Sequence, residues 1–199
     1  MPGENIEDID EPIEKVEPPL DLLFLSKEEV DSLDIPNHRI VEEIEKGLEA
    51  HGNGDVVMPP KDHLELEPKY EGHYNLLKGY VGTIDVAGVK VIGDYYYNYL
   101  RGLPSELAML TLYRSDSGVP FAIMDATQIT WMRTGAVTAA GAKHLAPEDP
   151  KVLGHIGSRG TAWYNVPMLD SMFDFDEIRV NSKRAESRER LAQEMGAEL

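Results

Sequence analysis

The chain has 199 residues, 42% hydrophobic and 28% charged, which is enough for a sizeable core in one or two domains. It contains no cysteine, which excludes a disulfide framework, a thiolate nucleophile and a cysteine-based metal site and fits a cytoplasmic location. A formal net charge of -17 argues against non-specific nucleic-acid binding, so any phosphate ligand must be held by a few local cations.

Residues 1–21, MPGENIEDIDEPIEKVEPPLD, combine acids with prolines and read as a flexible acidic arm. They lack the basic start and apolar centre of a secretory signal. No stretch approaches the roughly 20 apolar residues that span a bilayer, so no membrane partner is expected. In LLFLSKEEVDSL a short apolar strand precedes Ser26, and Glu29 three residues on completes a capping-box pattern that opens a helix. A second helix is predicted over HRIVEEIEKGLEAHG, where Ile40, Ile44 and Leu48 recur at helical spacing and glycines end the run.

From Asp55 to Tyr113 the texture becomes β-like in VVMPP, HYNLLKGYVG, VAGVKVIGDYYYNY and ELAMLTLYR, predicting a mainly antiparallel sheet. RSDSGVP reads as the turn of a hairpin joining LAMLTLY to FAIMDA. TQITWMRTGAVTAAGAKHLAP then predicts a long helix, with Asp125 or Thr127 near its cap and Pro147 just beyond its end. Its small residues between 135 and 142 predict burial against a sheet or a second helix. A βαβ unit follows, with KVLGHI and EIRVN as strands around TAWYNVPMLDSMF, and SRERLAQEMG opens a further helix.

The turn after VLGHI carries the first candidate chemistry. A pyrophosphate needs backbone N–H groups and a helix N-terminus aimed at it across a tight, bare turn. Gly157 and Gly160 supply such a turn, whereas Arg159 stands where a dinucleotide fingerprint has glycine and must point its cation outward. An ordinary strand-to-helix turn is the plainer alternative. An acid at the end of the second strand, about 20 residues on, would bind the ribose hydroxyl of NAD. Here Asn181, Ser182, Lys183 and Arg184 precede the first carboxylate, Glu186, an arrangement suited to a 2′-phosphate. NADP(H) is therefore favoured and NAD(H) remains possible. The alternative is that these are solvated residues opening the next helix.

Lys90 interrupts an apolar strand, and Arg133 lies in an Ala/Gly-rich helix where burial without an anion is costly. Either is a snorkelling or internally paired cation, or together they hold an anionic substrate. Asp94 and Glu106 are possible acid/base groups, although Tyr95, Tyr96 and Tyr97 around Asp94 suggest a packed or interfacial sheet. The histidines show no metal-like spacing, and no metal is expected.

GVKVIGDYYYNYLRGLPSELAMLTLYRSDSGVPFAIMDATQITWMRTGAVTAAGAKHLAPEDPKVLGHIGSRGTA, residues 88–162, resembles the ornithine cyclodeaminase and mu-crystallin family. The shared features are the GVK strand, the N-x-x-x-G-L-P loop, the hairpin, the R-T helix and the dinucleotide turn. The resemblance implies an α/β fold: an antiparallel dimerisation platform with substrate-binding residues over 22–147, and the start of a Rossmann domain over 148–199. It implies that Lys61, Lys90 and Arg133 bind a substrate α-carboxylate. It also implies that Thr134 and the turn Gly157, Ser158, Arg159, Gly160, Thr161 and Ala162 contact the cofactor. The expected partners are a small amino acid or cyclic imine and a second copy of the chain. Hydride transfer at the carbon bearing nitrogen is the implied reaction. A non-catalytic NADPH-binding, mu-crystallin-like role and an inactive truncated fragment are the alternatives. The family's acid/base aspartate has no match before Leu199, and the third Rossmann strand is expected where the sequence stops, so a truncated domain is anticipated.

Overall fold

The computed structural model describes residues 21–198; the acidic-arm reading lies, apart from Asp21, outside the described residues. β1 (Leu23–Leu25) leads directly into α1 (Lys27–Asp31) through a capping box. Ser26 Oγ accepts from the Glu29 amide at 3.3 Å, and Glu29 Oε2 accepts from the Ser26 amide at 2.7 Å, satisfying two orphan donors. The long helix α2 (Asn37–Asn53) runs past Gly47 and Gly52 and ends at Gly54, whose φ of 89° makes the left-handed cap.

The sheet is built from β2 (Val56–Val57), β3 (Asp62–Glu65), β4 (Gly72–Val81), β5 (Val86–Tyr95), β6 (Glu106–Arg114) and β7 (Pro120–Asp125). Its order is β1-β7-β6-β5-β4-β2, with β3 pairing on β4 as well. Every pairing is antiparallel except β1 on β7. That parallel edge makes the sheet mixed, and the intervening chain supplies the crossover a parallel pair requires. β3 carries no β-rich signal, since DHLE is acidic and wholly exposed; its register on His73–Leu76 of β4 makes it a strand.

Alternation gives the sheet two faces. The inner face carries Leu77, Lys90, Ile92, Ala108 and Leu110, and it is partly covered by α3 (Thr127–Leu145) through Ala126 and Ile129. Asp125, the residue before the Ala126 N-cap, meets the first amide of that helix, its Oδ1 accepting from the Thr127 N–H at 2.9 Å. The outer face presents Val89, Val91, Leu107 and Met109 to solvent.

β8 (Val152–Ile156) and β9 (Glu177–Asn181) form a parallel pair joined through α4 (Ala162–Asp170), and α5 (Ala185–Glu198) follows. The small-residue stripe of α3 is buried as predicted. Ala136, Ala139 and Ala140 pack with Val41 of α2 and with Met168 and Leu169 of α4. At Gly135 a Cβ would lie 2.9 Å from the Tyr164 carbonyl, so the two helices cross where only glycine fits. This contact packs α4 of the βαβ unit against α3.

Candidate functional site

The glycine turn follows β8. Gly157 has φ 113° and Gly160 φ 27°, values that L side chains avoid. The Gly157 amide donates to the Asn181 carbonyl at 2.8 Å, tying the turn to the end of β9. Between them Ser158 is only 7% exposed, and its Oγ has no hydrogen-bond partner among the described residues. A buried hydroxyl left unpaired is costly and marks a place where an acceptor belongs.

A cavity of about 410 Å³ opens on this turn, lined by Gly157, Ser158, Arg159, Thr161, Ser182, Lys183, Arg184 and Ser187. No carboxylate lines it among the described residues. Most of the residues proposed from sequence for the cofactor thus converge on one concavity. Gly160 faces an adjoining cavity of about 650 Å³ together with Tyr99, Trp131 and Trp163. Ala162, 1% exposed, opens α4 and packs with Val166 and Leu191, while Asn181 is exposed at the end of β9. The Thr134 hydroxyl donates to the Thr130 carbonyl at 2.8 Å, so it is engaged within its own helix.

Tyr99 stands out only once the chain is folded. Asn98 is buried and its Nδ2 donates to the Pro104 carbonyl at 3.0 Å, while Gly102 turns left-handed at φ 72°. The N-x-x-x-G-L-P signature is therefore a clasp that closes the β5–β6 loop. The clasp holds Tyr99 against the βαβ unit, with the Arg159 guanidinium 4.6 Å and that of Arg184 5.6 Å from its ring centroid. Two of the three cations that rim the smaller cavity, Arg159 and Arg184, rest on one aromatic ring.

On the other side lies the pair expected to hold a carboxylate. Lys90 is half-buried on β5, and its Nζ donates to Thr130 Oγ1 at 3.2 Å. Burial first, and the charge of Arg133 second, lower its pKa to about 8, with Glu106 opposing. Glu106 Oε2 in turn accepts from the Trp131 indole at 3.2 Å, and Trp131 lines the cavity beside Gly160. Arg133 is exposed on α3 and has no carboxylate within ion-pair distance among the described residues, so the expected cost of burying it does not arise. The two cations repel each other here, and Glu106 offsets only part of the effect on Lys90. Lys61 is exposed and lines a third cavity, of about 570 Å³, that also reaches Lys90. Asp94 lies 3.9 Å from His73. Among the described residues no group of three or more histidines or acids could hold a metal ion.

A mixed sheet packed on a βαβ unit with a glycine turn at its first crossover has the architecture of a dinucleotide-binding α/β protein. The model of the ornithine cyclodeaminase/mu-crystallin family matches residues 21–198, and the chain belongs to that family. It is 32% identical over 165 residues to the alanine dehydrogenase of Archaeoglobus fulgidus, covering 83% of this chain and 49% of that one. Among solved structures it is similar to Thermococcus litoralis Δ1-pyrroline-2-carboxylate reductase in complex with NADH and L-proline. That match has a TM-score of 0.85 and 29% identity, over 89% of this chain and 54% of that one. An archaeal alanine dehydrogenase dimer with bound NAD matches with a TM-score of 0.82 and 30% identity, over 89% and 53%. The chain thus spans about half the length of the relatives it matches. Among the described residues no helix is long and apolar enough to cross a membrane.

Proposed function

We propose that the complete protein is a cytoplasmic, NAD(P)-dependent enzyme that moves a hydride at the carbon bearing nitrogen in an amino acid or cyclic imine. In the oxidative direction the substrate loses a hydride from Cα and a proton from nitrogen, and the C–N bond becomes C=N; reduction of an imine is the reverse. A bound nicotinamide supplies the hydride acceptor or donor. The residues fit such a group: Ser158 offers an unpaired buried hydroxyl, and Arg159, Lys183 and Arg184 surround a cavity free of carboxylates. Lys90 and Arg133 bind the substrate carboxylate, with Lys61 at the edge, and so fix which face of Cα is presented. In this reading residues 22–147 hold the substrate and 148–199 the cofactor.

The observation that carries this reading is the closeness of Lys90 and Arg133, whose charges act on each other, in a chain that also builds a cationic cavity on its glycine turn. The relatives above act on or bind small amino acids, which supports it. NADP(H) is favoured because Lys183 and Arg184 reach the cavity where an acid would bind a ribose hydroxyl. A second copy of the chain covers the apolar outer face of the sheet. The test is a fluorescence titration of NADPH and NADH, followed by turnover of an amino-acid and cyclic-imine panel with ammonia release measured. Tighter NADPH binding and turnover lost in Arg133→Ala are expected. Equal affinity overturns the cofactor preference, and unchanged turnover in the variant overturns the clamp.

A further inference from the structure

The inner face of the sheet continues beyond Lys90 into the cavity of about 570 Å³. Its floor is bare, because Gly79 and Gly88 are direct partners across β4 and β5 and neither places a side chain there. Leu77, Leu110 and Leu112 of the sheet line the cavity, together with Met58, Pro59 and Pro60 of the segment after β2. Among the described residues no Asp or Glu lines the space. Three of its polar side chains are already engaged: Lys78 pairs with Asp62, the Tyr80 hydroxyl donates to Asp85 at 3.0 Å, and Lys90 donates to Thr130 Oγ1 at 3.2 Å. The space is therefore an apolar trough lined also by Lys61 and Lys90, neither of them ion-paired to a carboxylate among the described residues.

We propose that this trough receives the substrate's side chain, and that the substrate is an α-amino or α-imino acid with a long, uncharged aliphatic side chain or an all-carbon ring remainder. The inference rests on the proposed function for the meaning of the Lys90–Arg133 pair, and adds the substrate class. With the carboxylate held at Lys90, the side chain enters a volume far larger than a methyl group needs. A terminal ammonium, as in ornithine or lysine, would be desolvated among leucines and prolines with no carboxylate lining the space, Asp62 and Asp85 being engaged by Lys78 and Tyr80, and with lysines nearby. A short chain such as that of alanine leaves most of the trough to water. Each methylene matched or missing in an apolar pocket changes selectivity by roughly 10-fold or more.

The experiment uses the complete protein loaded with its cofactor. Calorimetry compares hexanoate with 6-aminohexanoate and acetate, and turnover compares norleucine and leucine with lysine, ornithine and alanine. Hexanoate is expected to bind about 10-fold or more tightly than either competitor, and norleucine to show the highest kcat/KM of the panel. Gly88→Ala narrows the floor, since its Cβ lies 3.2 Å from Leu112 Cδ2, a flexible neighbour. It is expected to raise KM for norleucine by a larger factor than KM for alanine. Leu112→Glu is expected to shift preference toward lysine. Preferred turnover of lysine or ornithine overturns the inference and leaves the enzymatic reading standing. Selective hexanoate binding, weakened in Gly88→Ala, without turnover of any amino or imino acid sustains the trough and overturns the enzymatic reading. Failure of hexanoate to bind more tightly than acetate overturns the trough.

Discussion

Lys90 is charged only at the expense of its surroundings. Burial and the neighbouring Arg133 hold its pKa at about 8, against an ordinary value of 10.5. Below about pH 8 it is an ammonium that attracts a carboxylate; above, that attraction is lost. KM for a carboxylate substrate is therefore expected to rise through this pH, and Lys90→Arg to flatten the profile because a guanidinium stays protonated. A KM independent of pH in the unmodified protein would sink this account. Linkage has the same origin: between about 8 and 10.5 the unfolded chain binds more protons than the folded one, so this group makes stability rise with pH across that window. Lys90 and Arg133 were legible in the sequence because a cation in apolar surroundings needs a reason. Tyr99 was not, because its partners Arg159 and Arg184 come from distant chain and aromatic residues are ordinary on a loop. Ser158 was proposed with its turn, but only burial shows that its hydroxyl lacks a partner.

At the scale of elements, the α3–α4 crossing determines how the βαβ unit sits. Gly135→Ala pushes a methyl group into the Tyr164 carbonyl, a backbone atom that cannot rotate away. A loss of about 1–3 kcal/mol is expected, read as a lower denaturant midpoint. Gly141 lies in the same helix with nothing within 4 Å of its Cβ position. Gly141→Ala is expected to stabilise by about 0.5–1 kcal/mol, and equal effects at the two sites would refute the steric argument. The helices, the hairpin and the βαβ order could be read from periodicity and turn residues, which act locally. The parallel edge of Leu23–Leu25 and the acidic strand Asp62–Glu65 could not, because each is defined by the register of its partner.

Across the whole molecule, the outer sheet face leaves Val89, Val91, Leu107 and Met109 exposed beside one another. Such a patch on an isolated chain favours association. Light scattering of the complete protein is expected to report a dimer, and Val91→Lys with Met109→Lys a folded monomer; a monomeric unmodified protein would remove the proposal. The clasped loop carries a different consequence. Its aromatic ring belongs to the loop between β5 and β6, and the two guanidiniums it holds belong to the glycine turn after β8 and the segment after β9. A cofactor phosphate that draws either arginine inward must first take it from Tyr99, so the ring acts as a built-in competitor for the same cations. Tyr99→Ala is then expected to tighten cofactor binding by about 2- to 5-fold, the equivalent of a surface cation–π contact of about 0.5–1 kcal/mol. Weaker binding in that variant would show the ring to be an ally of the phosphate rather than its rival.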